Sequence, residues 1–192
     1  ANPETMNALV ATTFKGLSPE NVKRAMVEGY MRGFKFQDFL EKNVYAIPFS
    51  DSYSLVTSID YARKIGMRSG VVGTSAPLYE DKDGQVISCT ITVKRKINEY
   101  IGDYSATVYF SEYNTGKQQW VKKPRTMIAK VAEMHALRKA CPEELSQSYT
   151  EEEIQKENTG DTIDEKLLSE INAIKTISGL KIYYLANKGK GK

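Results

Sequence analysis

One histidine, two cysteines and one tryptophan are all that this 192-residue chain holds of its scarcest side chains. His135 stands alone, with no second metal ligand at a motif spacing, so a zinc enzyme is not indicated. A packed or edge-exposed histidine is the simpler reading. Cys89 and Cys141 carry no metal spacing and read as reduced thiols, which places the expected location in the cytoplasm. No Ser/His/Asp or Cys/His set at a supporting spacing points to a covalent nucleophile. No G-x-x-x-x-G-K-[S/T] loop is present, which argues against an ATP-driven strand-exchange motor. No apolar run nears the roughly 20 residues that span a bilayer, and no basic-then-apolar leader is visible. No catalytic residue, resident metal or membrane partner is therefore expected. Internal repeats are absent as well.

What remains is a hydrophobic fraction of 41%, enough for a true core, and an uneven distribution of charge. The length suits one domain of ordinary size with an appendage. From Lys117 to Lys139 there are seven basic residues against one acidic, Glu133, a net of +6 where the whole chain carries +3. From Glu143 to Glu170 ten acidic residues face two lysines. A basic body followed by an acidic segment suggests phosphate binding in the body and a separate role for the tail.

The stretch from Trp120 to Tyr149 organises this pattern. Pro124 sits where a first helical turn accepts proline, and Pro142 ends the helix because the residue before a proline is pushed out of the α region. Between them Ile128, Val131, Met134 and Leu137 form an apolar stripe. Ala129, Ala132, Ala136 and Ala140 form a second, small-residue stripe against which another element can pack closely.

Upstream, residues 1–16 lack a strong pattern and read as a loosely ordered arm. Ser18-Pro19-Glu20 opens a helix that Gly33 ends, and Phe36, Phe39 and Leu40 mark a short second one. Residues 44–47 and 53–56 flank a turn-rich centre as a hairpin. Ser58 caps a helix to Ser69, with Ile59, Ala62 and Ile65 inside and Tyr61, Lys64 and Arg68 on another face. Asp81-Lys82-Asp83-Gly84 is a tight turn. Val86–Val93 alternates as a strand that runs into Lys94-Arg95-Lys96, and residues 98–103 make the return. Tyr104–Tyr113 alternates again. Thr150 caps a short acidic helix within an acidic segment at 146–162. Ile163, Leu167, Ile171 and Ile174 mark a further amphipathic helix.

Four basic clusters are attached to predicted rigid elements: Arg63-Lys64 with Arg68, Lys94-Arg95-Lys96, Lys122-Lys123 with Arg125, and Arg138-Lys139. This arrangement suits tracking a phosphate backbone, with counterion release and salt-dependent binding. Trp120 and Tyr61 are candidates for stacking on bases, with core packing the competing role for Trp120. The candidate DNA-binding residues from these clusters and rings are Tyr61, Arg63, Lys64, Arg68, Lys94, Arg95, Lys96, Trp120, Lys122, Lys123, Arg125 and Arg138. No zinc finger, helix-turn-helix or RRM motif is present to read base edges. Glu80, Asp81 and Asp83 bear on a metal-dependent nuclease, but aspartates beside Gly84 suit a turn.

Y-A-I-P-F at 45–49, S-L-V-T-S-I-D-Y-A-R-K-I at 54–65, G-T-S-A-P-L-Y at 73–79 and the whole of 120–153 resemble the phage single-strand annealing proteins of the RecT and Red beta group. The resemblance covers about residues 18–155, in order and at family spacing. It implies an α+β fold: an antiparallel sheet, hairpin plus strands, crossed by a long helix, with peripheral N-terminal helices and a small helical C-terminal segment. It also implies an ATP-independent recombinase that binds single-stranded DNA, forms rings or helical filaments and holds the nascent duplex in a basic groove. Lys64, Lys94, Arg95, Arg125 and Arg138 fall at basic positions of that groove. Lys130 lies one residue from one, and the resemblance adds it to the candidate DNA-binding residues. No cofactor is implied beyond magnesium with bound duplex. From Asp164 onward the chain resembles the start of the C-terminal domain of Red beta, which docks partners; a phage exonuclease and a host single-strand-binding protein are the expected ones. The domain reading is an annealing core at 1–145, an acidic helix and linker at 146–162, and a partner-binding segment at 163–192. The competing readings are a protein that coats single strands without annealing them, and the nuclease.

Overall fold

A computed structural model describes residues 3–49, 51–116 and 119–154. The predicted helix at 163–174 and the C-terminal partner-binding segment lie outside the described residues. The chain divides into two compact units, 1–158 and 159–192, and every described residue belongs to the first.

The sequence's two-stripe helix is α7, Pro124–Ala140. Ile128, Val131, Met134 and Leu137 are buried, and so are Ala132, Ala136 and Ala140. With apolar residues on both stripes, a helix is stable only between two layers. A four-stranded antiparallel sheet lies on one side. Its central strand is β5, Gln85–Ile97, which pairs with β6, Tyr100–Tyr109, from Ser88 to Ile97. The other edge of β5 is shared by β3, Val71–Thr74, and β4, Leu78–Lys82. On a further side of α7 lies α4, Ile59–Arg68, whose N-cap Ser58 accepts from the Tyr61 N–H. Their approach depends on Gly66. A Cβ there would stand 3.0 Å from Leu137 Cδ2 and 3.2 Å from Val71 Cγ2.

The sheet has one packed face and one open face, the usual state of an antiparallel sheet. Cys89, Ile91, Val93, Ala106 and Val108 point at α7. On the open face Thr90 and Thr107 share a 2.7 Å hydrogen bond, as do Thr92 and Ser105. Among the described residues no strand pairs with the outer edge of β6. There Lys139 of α7 donates to the Ser105 carbonyl at 2.9 Å.

A second apolar cluster gathers the N-terminal elements: α1 (Pro3–Thr12), α2 (Pro19–Met31), α3 (Phe36–Leu40) and the hairpin β1 (Val44–Phe49) with β2 (Ser52–Thr57). The expected loose arm is therefore wrong. Residues 3–12 are helical, and Leu9 and Phe14 are among the most buried side chains. Burying each of these is worth about 1.5–3 kcal/mol, which outweighs the weak local pattern.

Four local details also differ from the sequence reading. Asp81 and Lys82 belong to β4, and the turn is Asp83-Gly84 alone, both at positive φ (52° and 77°), the two-residue hairpin geometry that Asp-Gly favours. The strand expected at 104–113 begins at Tyr100 and ends at Tyr109, because Phe110–Tyr113 turns into the short helix α5. Pro142 ends α7 as expected, but it also starts α8, Pro142–Leu145. Residues 151–153 form a single 3₁₀ turn rather than an α-helix.

Candidate nucleic-acid interface

The first turn of α7 is the shared wall of two clefts. A groove of about 1050 Å³ runs between the hairpin (Ile47, Pro48, Phe49) and the α7 face carrying Lys123, Thr126, Met127 and Lys130. That spacing of three, four and seven places the four side chains on one side of a helix. A second cleft of about 550 Å³ is bounded by Gly84, Gln85, Phe110, Val121 and Arg125. Asn114, Trp120, Lys123 and Thr126 line both. Lys122 and Lys123 are exposed. The helix start they flank has no side-chain cap.

The thirteen candidate residues fall into three groups. Lys64, Arg68, Lys94, Lys96, Lys122 and Lys123 are exposed on helix, strand and turn. Lys94 has a loose partner in Asp103 at 3.4 Å and Lys96 one in Glu99 at 3.8 Å. Surface pairs of this kind contribute little and exchange readily with a phosphate.

The second group faces the clefts but is paired. Arg125 lies 2.6 Å from Asp81, with its guanidinium 4.8 Å over the Tyr79 ring. The Tyr79 hydroxyl in turn donates to the Arg125 carbonyl. Lys130 donates to Glu152 at 2.8 Å.

The third group is bonded or packed against other parts of the protein, although Arg63 remains about half exposed. Arg63 binds Glu133 through two hydrogen bonds of 2.7 and 2.6 Å, and Asp60 at 2.8 Å. Those carboxylates, Glu133 first, raise the Arg63 pKa. Arg95 points away from Lys94 and Lys96, since neighbours on a strand face opposite ways. It donates to the carbonyls of Ser69 and Ala140, closing the C-terminal ends of α4 and α7, where a cation is favoured. Arg138 holds Glu153 with both Nη atoms, donates to the Ser148 carbonyl and lies 4.8 Å over the Tyr149 ring. Trp120 is 6% exposed, belongs to the sheet–helix core and packs on Phe110 at 5.7 Å between centroids. Tyr61 is half-buried against Phe34. Burial first, then Asp38, pushes its hydroxyl pKa up to about 12.

Glu153 is the most enclosed carboxylate of the site. Burial pushes its pKa up, but hydrogen bonds from His135 and Arg138 overcome this and hold it below the usual carboxylate value. His135 Nε2 lies 3.1 Å from both Glu153 and the Tyr113 hydroxyl. The lone histidine is thus a bonded partner within the protein. Of the three residues that suggested a nuclease, Asp81 and Glu80 are partnered by Arg125 and Ser88, and Asp83 is exposed in the hairpin turn. Burial raises Cys89 to about 11, leaving a protonated thiol of low reactivity. No described helix is long and apolar enough to cross a membrane.

Sequence reasoning did not single out Thr126, Met127, Asn114 or Gln119, which line the larger groove. The Lys123–Lys130 helical spacing was the one available signal. The loop residues carry none.

An antiparallel sheet crossed by a long helix is the α+β arrangement that the resemblance to the RecT and Red beta group implies. The sequence profile of the RecT family matches residues 3–166, and the chain belongs to that family. The chain is also 31% identical over 101 residues to an uncharacterized protein of Ureaplasma parvum serovar 3, covering 52% of this chain and 45% of that protein. It thus spans less than half the length of that relative.

Proposed function

We propose that the protein binds single-stranded DNA, assembles with further copies into rings or filaments, and pairs the bound strand with its complement without nucleotide hydrolysis. Membership of the RecT family over residues 3–166 is the observation that carries this reading. The exposed set Lys64, Arg68, Lys94, Lys96, Lys122 and Lys123 supports it.

Two strands repel each other and have to present unpaired bases. Fixed cations neutralise the backbone and release counterions, and bases are left free to test a second strand. Correct pairing supplies about 1.4 kcal/mol per stacked step, so matched duplex is retained and mismatched contact is lost. The protein supplies alignment and hybridisation supplies the driving force. Docking of an exonuclease or a host single-strand-binding protein is assigned to the segment from residue 163 onward.

The test is annealing of complementary oligonucleotides without nucleotide, across a salt series. Accelerated pairing that weakens steeply with salt is expected. Tight binding that slows pairing below the rate of naked strands would replace this reading with that of a coating protein. Cleavage of labelled DNA in magnesium or manganese would replace it with a nuclease.

A further inference from the structure

Residues 147–153 run between the N-terminal cluster and the sheet–helix core and bond to each in turn. Toward the N-terminal cluster, the Gln147 carbonyl accepts from Arg32 at 3.3 Å, the Tyr149 carbonyl accepts from the Thr57 N–H at 2.8 Å, and Glu151 accepts from the Tyr45 hydroxyl at 3.1 Å. Toward the core, the Ser148 carbonyl accepts from Arg138, Glu152 accepts from Lys130, and Glu153 accepts from Arg138. The segment therefore stitches the β1–β2 hairpin to α7. These are the two walls of the larger groove, and Glu151, Glu152 and Ile154 line it beside them.

We propose that residues 147–153 are a strap that fixes the distance between hairpin and α7, making Arg138, Glu153 and Tyr45 positioning residues for DNA rather than DNA contacts. The proposal takes the larger groove of the candidate interface as the path of the strand, and so rests on the proposed binding of single-stranded DNA. Arg138 is the deciding case. Its basic character suggests a phosphate ligand, yet its side chain is 14% exposed and that of Glu153 is 4% exposed. A bidentate, enclosed guanidinium–carboxylate pair is directional and strong, which suits holding a fixed spacing. A phosphate would have to break that pair to reach the same donors.

The experiment uses the full chain with Glu153→Gln, Tyr45→Phe and Arg138→Gln variants. Three readouts are needed: amide hydrogen exchange at Thr57, fluorescence of the single Trp120, which lines the groove, and the salt slope of binding to an oligo-dT strand. With Glu153→Gln, the Thr57 amide should exchange about ten- to a hundredfold faster, the factor expected for loss of a charged hydrogen bond. The amides of β5 should keep their protection and Trp120 emission should shift. Tyr45→Phe should act in the same direction, less strongly. Oligo-dT affinity should fall with its salt slope unchanged in all three variants.

A slope lowered by about one unit in Arg138→Gln would make Arg138 a phosphate contact and overturn the proposal. Unchanged Thr57 exchange in both other variants would overturn it as well. If Glu153→Gln loses β5 protection and unfolds, Tyr45→Phe decides, because it removes a single hydroxyl. If the wild-type chain does not bind oligo-dT at all, the proposed function fails, while the exchange at Thr57 still judges the strap.

Discussion

Arg63 and Glu133 meet in a two-pronged pair, 2.7 and 2.6 Å, that locks α4 to the middle of α7. The Glu133 side chain is 10% exposed and that of Arg63 is 47% exposed. Arg63→Ala should leave a nearly buried carboxylate without its partner and destabilise the fold by about 2–3 kcal/mol, at the low end for a broken buried pair because solvent reaches the arginine side. Urea unfolding of Arg63→Ala, Glu133→Ala and the double variant checks this. A double variant no less stable than Arg63→Ala would show that the stranded charge dominates the loss.

Substituting alanine for Lys64, Arg68, Lys94, Lys96, Lys122 or Lys123 should weaken single-strand binding and lower its salt slope by about one unit per lost phosphate contact. The same change at Arg63 or Arg95 should alter stability and leave the slope alone. Fluorescence anisotropy of a labelled oligonucleotide across a salt series distinguishes the two sets.

Trp120→Phe should keep oligo-dT affinity within about twofold, since a ring packed on Phe110 is not a stacking platform. Trp120→Ala should cost about 3–5 kcal/mol by leaving a cavity. A large affinity loss in Trp120→Phe with stability intact would restore the base-stacking role.

Acid should act through Glu153. Its pKa is lower folded than its ordinary value of 4.5, so the unfolded chain binds the proton first and stability rises with pH through that window. The stabilisation is present above the ordinary carboxylate value and is lost as pH falls through the folded one. Glu153→Gln should flatten the acid limb of urea midpoints measured from about pH 7 down to about pH 3.

Gly29→Ala should be costly. An added Cβ would stand 2.3 Å from the tip of the Phe39 ring, and that buried ring would have to shift in a packed core, at about 1–3 kcal/mol. Phe39→Leu in the same chain should recover part of the loss, as read by thermal unfolding.

The helix borders at Ser18, Ser58, Pro124 and Pro142 were legible because caps and prolines act locally. Both stripes of α7 were legible because burial on two sides leaves two periodicities. The N-terminal helix was not, since Leu9 and Phe14 are held by partners far along the chain. Strands β3 and β4 are short edges, Val72 and Leu78 are exposed, and neither residue run alternates apolar with polar. At the site, charge identified which residues were basic but not where their donors point. Arg95 and Lys94 are neighbours in sequence and lie on opposite faces of one strand. Arg63 and Arg138 found their carboxylates 70 and 15 residues away, a pairing that local charge counting does not see.

The bond from Lys139 to the Ser105 carbonyl has a bearing on crowding and solubility. A bare strand margin recruits stray partners, and a lysine laid across it discourages them. The ammonium works as a latch on β6. Any assembly that lengthens the sheet through this margin has first to lift the latch, and a copy lacking the lysine would be prone to clump.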